Sequence, residues 1–109
     1  MTQRHILPDE LTPEQADFIA GTFGALSDPT RMRIIFYLVK QETNVSCLAE
    51  ELGLSVSAVS HHLAKLRDQR LVISRREGNQ VFYSIEDEHI GNLISESLSH
   101  LDHQREGLP

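Results

Sequence analysis

Residues 46–69 read SCLAEELGLSVSAVSHHLAKLRDQ, and the fold of the whole chain turns on how this stretch is read. Leu48, Ala49 and Leu52 recur at helical spacing, so Ser46 to Leu52 is expected to form a short helix with those three inward. Gly53 follows at once, just past the helix end, where a left-handed backbone favours glycine. Leu54 packs and Ser55 opens a second helix, Val56 to about Gln69, with Val59, Leu63 and Leu66 at core spacing. Two helices joined by a glycine-containing turn make a helix-turn-helix, whose second helix offers its first turns to the major groove of DNA. Val56, Ser57, Ser60 and His61 face outward there. Their hydroxyl and imidazole groups serve phosphates or either base edge, which is too permissive to name an operator sequence. A bare αα-hairpin with no DNA role remains open on this stretch alone.

The next segment weighs against that alternative. Leu71–Arg76 and Gln80–Ile85 are strand-like runs on either side of Glu77-Gly78-Asn79, a β-hairpin with glycine in its turn. A hairpin directly after a recognition helix is a wing. Arg75 and Arg76 lie near its tip, within reach of phosphate or the minor groove. Arginines on an exposed edge strand also deter aggregation, so both readings of this pair stand. Charge bears on the segment as a whole. From Ser57 to Gln80 the chain has Lys65, Arg67, Arg70, Arg75 and Arg76 against Asp68 and Glu77, a balance of +3, while residues 1–56 carry −4 and residues 81–109 carry −5. One basic segment in a chain of net charge −6 marks a binding face. A net-acidic protein also holds DNA weakly without specificity and releases it readily, as a switch requires.

Upstream, Thr12-Pro13-Glu14 starts a helix that runs to about Gly24 or Ala25 and is expected to bury Phe18, Ile19, Thr22 and Phe23. Ser27-Asp28-Pro29 caps another, Pro29 to about Lys40, with Ile34, Ile35, Tyr37, Leu38 and Val39 inward. Gln41 to Val45 reads as a polar turn. Residues 1–10 have no period and read as a flexible arm in which His5 has no role; 11–105 form the domain and 106–109 a short tail. The predicted class is mainly α with a β-hairpin, a winged helix-turn-helix. At 109 residues such a domain is near the lower limit for a self-sufficient core, and a homodimer would bury more of its apolar surface. A single cysteine, Cys47, excludes an internal disulfide framework and fits a reducing cytoplasm. No window approaches a membrane span and the polar start is not a signal peptide, so no membrane partner is expected. Neither a glycine-rich phosphate loop nor an activated nucleophile appears, which argues against an enzyme or a small-molecule substrate.

The last stretch, Glu86 to His103, reads EDEHIGNLISESLSHLDH. Ile90, Leu93, Ile94, Leu98 and Leu101 form an apolar helical stripe suited to a dimer seam. His89, His100 and His103 fall beside it in an arc about 60° wide. Histidines so aligned suggest metal, yet His89 and His100 lie about 16 Å apart along the axis, against a zinc–nitrogen bond of about 2 Å. One helix cannot close such a site, whereas two antiparallel copies bring the start of one beside the end of the other. A two-fold interface then holds two equivalent sites, each with Asp87 and His89 from one protomer and the partner's His100 and His103. Asp87 can join only from outside the helix, because two helical positions from His89 it would point about 160° away. One carboxylate and three imidazoles suit Zn(II), and Co(II) as the alternative. Glu96 lies on the same flank, so the histidines can also be read as the polar edge of a packed helix.

Together, ALSDPTRMRIIFYL, LAEELGLSVSAVSHHLAKLRDQRLV, RREGNQVFYSI and DEHIGNLISESLSHLDH resemble the ArsR/SmtB metal-responsive repressors, small dimeric winged-helix proteins, over residues 15–103. The zinc and cobalt sensors of that family carry an Asp-x-His pair opening the last helix and a His-x-x-His pair near its end, which match Asp87, His89, His100 and His103. The resemblance implies that a metal-free homodimer binds double-stranded operator DNA and is released on binding zinc. Family members that sense arsenic, lead or cadmium carry Cys-x-Cys in the first helix of the helix-turn-helix. Asn44 and Ser46 stand at the matching positions here, so Cys47 is read as a small core residue. The competing expectation is a repressor of the same family with a nickel or non-metal inducer. Metal-bound histidines usually donate their second nitrogen to a carbonyl or carboxylate, so His89 or His100 is expected to bond toward Arg70 and Leu71.

Overall fold

Polar side chains start most of the helices. In the computed structural model, which describes residues 7–106, Thr12 Oγ1 accepts the Gln15 backbone N–H at 3.0 Å and Gln15 Oε1 accepts that of Thr12 at 3.0 Å. This reciprocal box satisfies two otherwise unpaired donors and opens α1 (Pro13–Leu26). Asp28 accepts the Arg31 N–H at 2.9 Å and opens α2 (Pro29–Lys40). Residues Thr43–Asn44 form a short strand, β1, and Asn44 then accepts the Cys47 N–H at 2.8 Å to open α3 (Val45–Leu52). Gly53 closes α3 at φ 68°, and Ser55 Oγ takes the Ala58 N–H at 3.0 Å to open α4 (Val56–Asp68). The wing follows as β2 (Val72–Glu77) and β3 (Gln80–Ile85), with Gly78 turning at φ 62°. The chain ends in α5 (Glu88–Glu106).

The three strands form one antiparallel sheet in the order β1-β3-β2. Its register sets Thr43 opposite Tyr83, Asn44 opposite Phe82, and Arg75 opposite Phe82 on the other side. The core lies between this sheet and the middle helices: Ile34, Ile35, Leu48, Val59, Leu63, Leu66 and Val72 are sealed from solvent. All but Val72 stand at positions that helical period places inward. The winged helix-turn-helix expected from the sequence is the fold observed.

Four details differ. The polar turn over Gln41–Val45 contains β1, because Thr43 is buried against the centre strand and its backbone pairs with Tyr83. Cys47 is exposed rather than in the core; α3 turns Leu48 and Ala49 inward, and a neighbouring position lies about 100° round the helix. In α1, Phe18, Ile19 and Phe23 are exposed and Thr22 half-buried, whereas Ala25 and Leu26 are buried. The helix approaches α4 by its glycine side: a methyl group on Gly21 would sit 2.7 Å from Gln69 Oε1. Close approach there leaves the aromatic face of α1 outside this protomer. Finally, α4 ends at Asp68 and Arg70 takes a left-handed φ of 57°, a turn made without glycine. His5 and residues 107–109 lie outside the described part of the chain. Among the described residues no helix is long and apolar enough to cross a membrane.

Candidate nucleic-acid interface and metal centre

The core face of α4 is fixed by Val59, Leu63 and Leu66, so Val56, Ser57, Ser60, His61 and Lys65 are left exposed along it. These five members of the expected DNA-binding set are therefore all exposed on one helix. His62, adjacent to them, turns partly inward and lies 3.5 Å from Arg31 Nη1. Arg31 also donates to the Ala25 carbonyl at 2.6 Å, so this group ties α1, α2 and α4 together.

The two wing arginines differ in their surroundings. Arg75 reaches across the centre strand with its guanidinium 4.9 Å from the Phe82 ring centre. Beyond it, Nε donates to both carboxylate oxygens of Glu42 at 3.0 and 3.1 Å, and Nη2 donates to Glu42 Oε1 at 2.7 Å. Nη1 donates to Glu77 Oε2 at 2.7 Å. Hydrogen bonding from Arg75 holds the Glu42 carboxyl below its ordinary pKa, and hydrogen bonds to Glu42 and Glu77 raise that of Arg75. Arg76, whose side chain leaves the opposite face of the strand, is exposed and has no ion pair among the described residues. Sequence reasoning missed Glu42. Only the β1–β3 pairing brings it alongside the wing, and a two-residue strand carries no readable period.

At the start of α5, Asp87 precedes the helix, the position from which it can share a site with His89. Its Oδ1 accepts the His89 backbone N–H at 2.9 Å and lies 3.2 Å from His89 Nδ1. Both side chains are open to solvent, His89 at 79% and Asp87 at 51% exposure. His100 and His103 are exposed one turn apart near the other end of the helix. Among the described residues, no group of three potential ligands comes together within one chain. The structure thus joins Asp87 to His89 and keeps the other pair remote, as the rise per residue requires. Carboxylate oxygen and imidazole nitrogen are donors that zinc accepts, so the residues fit such an ion in kind.

A backbone bond connects this corner to the end of α4. The Glu86 N–H donates to the Leu71 carbonyl at 3.0 Å, and the Leu71 N–H donates to the Leu66 carbonyl at 2.9 Å. No histidine ring makes the expected bond toward Arg70 and Leu71 among the described residues; the Glu86 main chain bonds to Leu71 there, and His89 Nδ1 faces Asp87. Along α5 the stripe divides: Ile90 is buried, Leu93 and Ile94 pack against the core, and Leu98 and Leu101 are exposed. Leu98 and Ile94 line one side of an apolar groove of about 480 Å³ whose other side is Met32, Phe36 and Tyr37 of α2.

Comparison with known proteins agrees with this geometry. Residues 28–74 match the family model described as bacterial regulatory protein, arsR family. The chain is 45% identical over 98 residues to a transcriptional repressor SmtB homolog of Synechocystis sp., covering 90% of this chain and 74% of that protein. It is 38% identical over 102 residues to the HTH-type transcriptional regulator KmtR of Mycobacterium tuberculosis, covering 94% of this chain and 78% of the relative. Among solved structures, the homodimeric winged helix-turn-helix DNA-binding domain Mb0332 of Mycobacterium bovis superposes with a TM-score of 0.80 at 26% identity, over 93% of this chain and 96% of that one. A helix with a solvent-facing polar row, a wing beside it and these relatives lead to one conclusion: the chain belongs to the arsR family of bacterial regulatory proteins, which are DNA-binding transcriptional regulators and not enzymes.

Proposed function

We propose that this protein is a homodimeric transcriptional repressor that binds operator DNA in its metal-free form and releases it on binding Zn(II), with Co(II) as an alternative effector. The observation that carries the reading is the Asp87–His89 pair, preformed at the start of α5 and solvent-open, with His100 and His103 a turn apart near the other end of the same helix. Asp87 and His89 of one protomer together with the partner's His100 and His103 would hold the ion, giving two sites per dimer. When bound, the ion supplies a cross-link between two helices that otherwise meet through side-chain packing. The exposed Leu98 and Leu101 of α5 and Phe18, Ile19 and Phe23 of α1 support the dimer, since a second copy would cover large apolar side chains that this protomer leaves in solvent.

The chain's own residues supply the coupling. Asp87 lies one residue beyond Glu86, whose N–H holds the Leu71 carbonyl, and Leu71 is bonded back to the last core residue of α4. A change in the angle of α5 therefore pulls on the C-terminal end of α4 and the base of the wing. Ser57, Ser60, His61 and Lys65 contact one major groove per protomer, with Val56 against the groove floor and Arg75 and Arg76 on the wing. By linkage, DNA weakens metal binding by the same factor by which metal weakens DNA binding.

Subunit mixing tests the inter-protomer site. An Asp87→Ala/His89→Ala variant and a His100→Ala/His103→Ala variant each lack every complete site. In a co-refolded mixture the heterodimer regains one complete site, so tetrahedral Co(II) absorption is expected in the mixture and in neither parent. Absorption that stays absent on mixing, or persists in one parent, overturns the shared site.

A further inference from the structure

Arg75 is the most fully engaged cation on the surface proposed for DNA. Glu42 takes Nε and Nη2, Glu77 takes Nη1, and Phe82 covers one face of the guanidinium. Planar guanidinium groups grip phosphate with the same fork of donors that grips a carboxylate. Glu42 therefore holds the atoms that a DNA phosphate would need. It is not a loosely placed side chain: the next residue, Thr43, is buried and paired with Tyr83, so the backbone beneath Glu42 is fixed. Its side chain and that of Arg75 are roughly one-third and one-half exposed, at 35% and 51%, so the pair sits where solvent and a phosphate can both compete.

We propose that Glu42 is an intramolecular competitor of DNA that latches Arg75, making it a residue that sets binding strength and salt dependence. This rests on the reading of the wing as a DNA contact. With the latch closed, Arg75, Glu42 and Glu77 together carry a net negative charge facing outward. Opening it exchanges one carboxylate partner for a phosphate. A water-exposed ion pair is weak enough to be displaced in the strong field of a duplex. On non-specific DNA, where the wing is not held in register, the carboxylate wins. The latch thus subtracts from indiscriminate binding more than from binding at the operator, where the other contacts fix the wing.

The test is a double-mutant cycle on metal-free protein, using fluorescence anisotropy with operator and scrambled duplexes over a series of salt concentrations. The isosteric Glu42→Gln variant is expected to bind scrambled DNA at least about threefold tighter, with a log–log salt slope steeper by about one unit, as one more phosphate contact gives. In the Arg75→Ala background the same substitution is expected to change neither quantity. Equal tightening in both backgrounds would mean that Glu42 acts only as a distant charge and would overturn the latch. Weaker binding by Glu42→Gln would also overturn it, showing that the pair builds the wing instead of restraining it. If Glu42→Gln and Glu42→Gln/Arg75→Ala bind alike, Arg75 makes no DNA contact, and the wing reading itself falls along with the proposal.

Discussion

Asp87 performs a structural and a proposed chemical task with one carboxylate. Its Oδ1 receives the His89 N–H, so the side chain caps α5 while lying against the imidazole it is proposed to work beside. Asp28 is the simpler case of the same device. The Arg31 N–H draws its carboxyl below the ordinary range; burial opposes this, and the charges of Arg31 and His62 add to the lowering. A group whose folded pKa is lowered stabilises the fold above its unfolded pKa and loses that contribution as pH falls through the folded value. Asp28→Ala is therefore expected to lower the Tm at pH 7 and to lower it progressively less as pH drops below the carboxylate range. A deficit that is constant with pH would show that the cap acts without its charge. Single residues were unevenly legible. Asp87 was readable because a helix period forbids it to join His89 from inside the helix. Cys47 was misread, because a lone small residue carries no periodic mark of which way it faces. Glu42 was invisible until β1 placed it.

The elements divide along the same line. Both helices of the helix-turn-helix, the glycine between them and the hairpin were legible, since apolar period, caps and turn residues agree there. Gly53 and Ser55 carry that agreement: one turns at φ 68°, and the other accepts the N–H of Ala58, three residues later. Ser55→Ala is expected to cost about 1 kcal/mol and to weaken DNA binding modestly through fraying of the first turn of α4; chemical denaturation compared with anisotropy measures both. Unchanged stability would mean that water replaces the cap fully. The face of α1 was not legible. Its aromatic residues have helical spacing whether they pack on their own protomer or on another. Only their exposure in the folded protomer shows that they do not pack on their own.

Considered whole, the protomer combines a sealed core with exposed apolar side chains on α1 and α5 and an apolar groove between α2 and α5. A second copy is the occupant proposed for that surface, so oligomeric state and metal response should fail together. Leu101→Glu, placed on the exposed half of the α5 stripe, is expected to shift the species seen by sedimentation velocity from dimer to monomer at micromolar concentration. It should abolish tight zinc binding although every ligand residue is intact. A monomer that still bound zinc tightly would contradict the two-chain site. From the sequence the proposed dimer could be stated only as a seam along α5, because the exposure of the α1 aromatic residues is visible only once their packing is known.

The most direct measurement is fluorescence anisotropy on DNA from the protein's own promoter at one fixed salt concentration, comparing chelator with stoichiometric zinc for the wild type and His100→Ala. The account predicts that zinc weakens wild-type binding by at least about tenfold, roughly 1.4 kcal/mol of coupling, and leaves His100→Ala unaffected. Equal wild-type affinity with chelator and with zinc would contradict it.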